Sequence, residues 1–305
     1  IMIGGMEIGS LTAFITYLSQ VLTALNFLAN IFLQGTRAAA SNRRLSEVMN
    51  TRPDISDDGA SRREYRVEKG SIEFRNVSFR YFKNVGAPVL DDVSVKIEPG
   101  EFVGIIGSTG SGKSTFVSLI PRLYDPDAGE VLVDGINVKE LSLYELRESV
   151  DVVLQKNTLF SGTVAENLRW GNEEATDEEL EEVCRIAQAD SFIRSFPDGY
   201  ETQIGQGGGN LSGGQKQRLC IARALLKKPK IMILDDSTSA VDTATDAAIR
   251  RAFRTQLSHV TKLVIAQRIS SVMDADKILV LDEGRLAACG THEELIQSCE
   301  AYQEI

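Results

Sequence analysis

Hydrophobic and polar positions divide the chain into two regimes. From Ile8 to Thr36 no residue is charged, and the dense apolar part runs from Leu11 to Leu33, 23 residues. As a helix rising about 1.5 Å per residue it would cover roughly 34 Å, enough to cross a bilayer. Its polar residues are ordered: Thr12, Thr16, Ser19, Thr23, Asn26 and Asn30 recur every three or four positions and form one helical stripe. Such a stripe faces other helices or a water-filled path rather than lipid. Tight packing accounts for the hydroxyls equally well, whereas the two amides are larger, cost more to bury and favour a pathway. Glu7 precedes the stretch, and Arg37, Arg43 and Arg44 follow it. That asymmetry places Ile1 outside and the residues after Arg37 in the cytoplasm. One helix cannot enclose a pathway, so the sequence reads as a piece of a longer polytopic protein or as a subunit that needs others.

After Ala38–Met49, which continues the helical pattern, the period is lost. Residues 50–69 form a linker in this reading, broken by Pro53 and Asp57-Asp58-Gly59. From Gly70 onwards short apolar runs alternate with helical ones. Ile72 to Phe79 and Val93 to Ile97 alternate like half-buried strands, and Phe102 to Ile106, Gly129 to Val133, Asp151 to Gln155, Lys230 to Asp236, Thr261 to Ala266 and Lys277 to Leu281 supply further strands. Helices are predicted over Thr115–Ile120 and Leu143–Val150. Others open at Thr176-Asp-Glu-Glu179, running to about Ala189, and at Thr291-His-Glu-Glu294, both capping boxes. Strands alternating with helices predict an α/β core around a mainly parallel sheet. There is no internal repeat and no low-complexity segment.

Composition narrows the chemistry. The chain has 305 residues, 43% hydrophobic and 25% charged, with a net charge of -10, which argues against a nucleic-acid partner. Four cysteines without C-x-x-C spacing suggest free thiols, and two isolated histidines are too few for a metal cluster. The informative stretch is Gly107-Ser-Thr-Gly-Ser-Gly-Lys113-Ser114-Thr115, which matches G-x-x-x-x-G-K-[ST] between a predicted strand and a predicted helix. In that context Ser108, Thr109, Gly110, Ser111, Gly112 and Thr115 would wrap phosphate oxygens with backbone N–H groups. Lys113 would reach the β- and γ-phosphates and the Ser114 hydroxyl would bind Mg²⁺.

A second stretch, Leu211-Ser212-Gly213-Gly214-Gln215 followed by Lys-Gln-Arg, resembles the signature motif of ATP-binding cassette (ABC) ATPases. Ser212 would open a helix, and the glycines would admit a phosphate close to its backbone. The resemblance covers essentially the whole chain. It implies a P-loop nucleotide-binding domain over residues 70–305, with a parallel-sheet core, an antiparallel β subdomain and a helical subdomain. Residues 1–49 would be the last transmembrane helix of an exporter half-transporter with its cytoplasmic extension. In the family two cassettes pair head to tail, each ATP lying between the P-loop of one and the signature of the other. Carried over by motif, Tyr81 would stack on adenine beside Val89. Gln155 would contact Mg²⁺ and sense the membrane domain, Asp235 would hold the Mg²⁺ shell, and Ser239 and Asp242 would cross the dimer interface. Thr163-Val-Ala-Glu-Asn-Leu168 resembles the exporter-type segment that follows.

Departures from the family pattern are as informative. Asp236 stands where the family has the Glu that polarises the attacking water, Gln267 where it has the switch histidine, and Gln206 where it has an acidic residue before the signature. The first shortens the side chain by about 1.5 Å, and misplacements near 1 Å can cost about 100-fold in rate. The second replaces a titratable ring with an amide. With Lys113, these two positions form the expected catalytic set. The pattern resembles the degenerate site of heterodimeric bacterial multidrug exporters. The implied partners are a second half-transporter, the lipid bilayer of the cell membrane and a small-molecule substrate, a drug or a lipid, with ATP and Mg²⁺ as cofactors. Two other readings stand beside it: a soluble ABC ATPase acting on DNA or ribosomes, opposed by the uncharged helix, and a regulatory module that binds ATP without hydrolysing it.

Overall fold

The computed structural model describes residues 8–82, 86–235 and 241–304. They fall into two compact units, one ending at Asp54 and the other running from Ile55. The first is a single helix, α1 (Ile8–Asn50), 43 residues long and apolar enough over part of its length to cross a membrane. Within it the hydroxyls turn back onto the helix: Thr16 donates to the Thr12 carbonyl at 2.9 Å, Ser19 to Ile15 at 3.0 Å and Thr23 to Ser19 at 2.8 Å. These groups are satisfied without a neighbour, so the polar stripe costs less in lipid than its composition suggests. Asn26 and Asn30 are the stripe's larger polar groups.

The second unit begins before the first predicted strand. Val67 is buried, and the Asp134 carboxylate accepts the N–H groups of Glu68 (2.8 Å), Lys69 (2.9 Å) and Ser71 (2.9 Å). Two strands follow, β1 (Ile72–Phe79) and β2 (Leu90–Ile97), the latter starting three residues before its predicted limit because Val89 already closes the pairing onto the Phe79 carbonyl. Next come β3 (Phe102–Ile106), helix α2 (Lys113–Leu119), β4 (Ala128–Val133) and the short β5 (Ile136–Asn137). Asp134 and Gly135, both at positive φ, make the two-residue turn between β4 and β5. The antiparallel sheet has the order β2-β1-β4-β5.

Helix α3 (Leu143–Ser149) leads into β6 (Val150–Val153), which stops two residues short of Gln155. A mainly helical stretch follows: the strand pair β7 (Gly162–Thr163) and β8 (Gln203–Ile204) with α4 (Val164–Arg169), α5 (Asp177–Ile186) and α6 (Asp190–Ser195) between them. The predicted capping box at Thr176 forms, but α5 ends before Ala189, because Gln188 takes a left-handed φ of 57° that no α-helix continues through. Helix α7 (Gly213–Leu226), β9 (Ile231–Asp235), α8 (Thr243–Gln256), β10 (Thr261–Ile265), β11 (Lys277–Asp282), β12 (Arg285–Gly290), α9 (His292–Ser298) and α10 (Glu300–Gln303) complete the unit. The central sheet has the order β12-β11-β3-β10-β9-β6, parallel except for β12.

Each central strand serves two cores. Val103, Ile105, Ile231, Ile233, Leu263, Ile265, Leu279 and Leu281 join one with α2 and the antiparallel sheet, where Phe74 stacks on Phe116 at 4.1 Å. Their neighbours Phe102, Ile106, Met232, Leu234, Val264, Ile278 and Val280 join the other, with α7 and α8. Burial on both faces explains why these strands read as unbroken apolar runs.

Two outcomes test this packing. A Cβ on Gly104 would lie 2.6 Å from Val272 Cβ, and Val272 is fully buried. Gly104→Ala should therefore lower stability by about 1–3 kcal/mol in chemical denaturation, and Val272→Ala in the same chain should restore part of it. Second, a chain starting at Ile55 should unfold at higher denaturant than one starting at Gly70. Loss of Val67 burial and of two N–H donors to Asp134 should cost about 2–5 kcal/mol.

Candidate functional site

Four parallel strands end at one edge of the central sheet. Ile105 of β3 lies opposite Ile265 of β10, Ile265 opposite Asp235 of β9, and Leu234 opposite Val153 of β6. The loop Gly107–Thr115, Gln155, Asp235 and Gln267 therefore emerge side by side, beyond the carboxyl ends of the strands, where open α/β sheets bind their ligands. Asp236 and Ser239 lie outside the described residues.

The loop after β3 is built around its glycines. Gly107 has φ 151°, and a Cβ there would collide with the Leu281 carbonyl. Gly112 has φ 95°, and a Cβ there would come within 2.8 Å of the Val89 carbonyl and of Leu90. Neither place admits a side chain. Ser111 and Thr115 are buried, while Ser108, Thr109, Gly110 and Ser114 are exposed on the outer side of the loop. The Lys113 ammonium donates to the Gly107 carbonyl at 2.8 Å and the Ser108 carbonyl at 2.7 Å, so it lies inside the curve of the loop. Ser114 donates its hydroxyl to Asp235 Oδ1 at 3.2 Å. Burial pushes the Asp235 carboxyl above its ordinary range, opposed by the Ser114 hydrogen bond and the Lys113 charge.

Beside this loop, the Tyr81 hydroxyl lies 2.9 Å from the Thr115 hydroxyl, with 48% of Tyr81 exposed. Val89 is half-buried, its carbonyl against Gly112. Gln155 and Gln267 are exposed, each just past a strand end.

Ser212 is the N-cap of α7. Its hydroxyl accepts the Gln215 N–H, and the Gln215 side chain accepts the Ser212 N–H at 2.9 Å, a complete capping box. Leu211 is buried beneath, while Ser212 and Gly213 are exposed and Gly214 and Gln215 half-buried. Arg218, in the same helix, donates to the Gln188 carbonyl at 2.7 Å and lies over the Phe192 ring. These bonds stay within residues 188–218, so the signature is braced by the helical stretch. Asp242 caps α8, accepting both the N–H and the hydroxyl of Thr245, and these hydrogen bonds hold its carboxyl below the usual range.

The sequence reading missed a bracing network behind the site. Arg250 of α8 pairs with Asp246 at 3.1 Å and with Asp274 at 3.0 Å, tying α8 to the segment that follows Gln267. The i, i+4 spacing of Asp246 and Arg250 was the available signal.

The donors at the strand ends are oxygens: the Ser114 hydroxyl, the Asp235 carboxylate and the Gln155 amide. That is the set a hard cation such as Mg²⁺ takes, with phosphate oxygens and water completing its shell. Among the described residues no group of three or more His, Cys, Asp and Glu offers a competing metal site. The outward-facing loop residues, with the Lys113 charge behind them, suit a polyphosphate.

Known proteins share the sequence pattern and fold of this chain. The ABC transporter family model matches residues 90–239. The uncharacterized ABC transporter ATP-binding protein YfiB of Bacillus subtilis is 42% identical over 302 residues, 99% of this chain and 52% of that protein. An ATP-dependent lipid A-core flippase of Chromobacterium violaceum is 39% identical over 302 residues, 99% of this chain and 51% of that protein. A solved structure of a bacterial Atm1-family ABC exporter with ATP bound superposes with a TM-score of 0.88 at 34% identity, covering 99% of this chain and 53% of that one. The chain spans about half the length of these relatives. Over that span it has the α/β fold of the nucleotide-binding domain of an ABC exporter, preceded by one apolar helix.

Proposed function

We propose that the chain is the ATP-binding part of an exporter that moves a small molecule or lipid across the cell membrane, and that its own nucleotide site is the slow one of two. The observation that carries this reading is the convergence of Lys113, Ser114, Asp235 and Gln267 at one sheet edge, with an amide in the switch position. Helix α1 would cross the bilayer and leave the domain in the cytoplasm.

In this reading Lys113 turns from its loop carbonyls to the β- and γ-phosphates. Ser114, Gln155 and Asp235 hold Mg²⁺, and Tyr81 and Val89 hold the adenine. Bound Mg²⁺ would neutralise the charge that develops on the phosphates. Asp236, one methylene shorter than Glu, sets the attacking water poorly, and the Gln267 amide cannot take up a proton. The intact signature, Leu211 to Gln215, offers its exposed helix start to the site of a second half-transporter, a junction to which Asp242 and Ser239 would also contribute. A homodimer would then hold two slow sites and no fast one, which is the reason for inferring a heterodimer. The lipid A-core flippase among its relatives supports a lipid or amphipathic substrate class.

Lys113→Ala should weaken Mg·ATP binding roughly 30-fold or more, read with a fluorescent nucleotide on the purified chain. Unchanged affinity would remove the loop from the proposal. The division of labour gives opposite expectations for two substitutions in the assembled transporter. Ser212→Arg puts bulk and a cation at the partner's phosphates and should nearly stop turnover, as should loss of the catalytic Glu expected in the partner. Asp236→Asn should cost far less. The reverse ranking in an ATPase assay would overturn the assignment.

A further inference from the structure

Two of the residues that hold Tyr81, Phe79 and Tyr124, lie outside every motif named above. The Tyr81 ring meets Tyr124 at 5.2 Å between centroids and 89° between planes, and Phe79 at 5.0 Å and 83°. Phe79 and Tyr124 are themselves 5.4 Å apart, so the three rings close a triangle. Its corners differ in rigidity. Phe79 is buried at the end of β1. Tyr124 sits on a pinned turn after α2, in which the Arg122 guanidinium pairs with Asp125 at 2.9 Å. Arg147 donates to the carbonyls of Pro121 (3.2 Å) and Arg122 (3.0 Å), and the Leu123 N–H bonds to the Ser118 carbonyl. Tyr81 follows the last residue of β1 by two positions, beyond the paired strand; it is 48% exposed and Tyr124 41%. Its outer end is tied through the hydroxyl to Thr115.

We propose that Tyr124 is a positioning residue for base recognition. It is a fixed stop that, with the Thr115 tether, holds the Tyr81 ring ready to receive a purine before the nucleotide arrives. The proposal rests on Tyr81 being the base-stacking residue. Perpendicular ring contacts are favourable in their own right, and a side chain already held in its binding rotamer loses less entropy when the ligand lands. Two of the three holders of Tyr81, Thr115 and Tyr124, stand on the chain segment that begins with the phosphate loop. The base platform and the phosphate cradle are therefore one mechanical piece.

The test compares Mg·ATP with inorganic tripolyphosphate, which has the phosphates and no base, on the full chain in detergent. Tyr124→Ala should weaken ATP roughly two- to tenfold and leave tripolyphosphate unchanged. Tyr124→Phe should bind ATP as the parent does, because the contact is ring to ring. An equal loss for both ligands in Tyr124→Ala, or ATP affinity unaltered by it while Tyr81→Ala lowers ATP alone, would overturn the positioning role. If Tyr81→Ala itself leaves the ratio of the two affinities unchanged, the base-stacking reading falls and this inference falls with it.

Discussion

Everything in the cassette depends on the two-sided burial of its central strands. Alternate residues of β3, β9, β10 and β11 enter different cores, so a slip of one residue would exchange both sets at once. That constraint fixes the register at the carboxyl edge. Asp235 comes level with Ile265, and Ile265 with Ile105, because the apolar residues behind them leave no alternative. The site is accurate because the packing beneath it is. Gly104 marks the closest approach, where β3 has no side chain so that Val272, from the segment after Gln267, can lie against it.

Much of this was legible in the sequence. Apolar runs located the central strands, and Gly107 to Thr115 declared both the loop and the strand and helix flanking it. The capping boxes at Thr176 and Thr291 mark the helix starts to the residue. What escaped was of two kinds. Strands β5 and β12 are short or exposed on one face, and each is joined to its neighbour by a two-residue turn, Asp134-Gly135 or Glu283-Gly284, with both residues at positive φ. The turn residues carried the signal rather than the strands. Residues 55–69 have the composition of a linker, yet the N–H groups of Glu68 and Lys69 converge on the Asp134 carboxylate. Such a bond uses no side chain of the segment and leaves no trace in its pattern.

Within the site, motif residues could be named but not their supports. Tyr81 and Thr115 are 34 positions apart, and Arg250 and Asp274 are 24 apart. Nothing local announces either pair, since each exists only once the sheet has brought its loops together. The same holds for Arg218, whose place in the signature helix is obvious but whose partner, the Gln188 carbonyl, is presented only because Gln188 sits in the left-handed conformation that ends α5.

The strand order also has a consequence in time. The antiparallel sheet draws on residues 72–137 alone and can close while the chain is still emerging from the ribosome. Strand β3, which carries the phosphate loop, is flanked by β10 and β11 and by no earlier strand. Its two neighbours are synthesised more than half a chain length later. Non-local pairings of this kind form slowly and leave apolar edges waiting. The nascent chain thus carries a finished phosphate-loop motif with no nucleotide site until β10 and β11 have emerged, and a truncation anywhere before β11 would leave β3 without its full complement of neighbours.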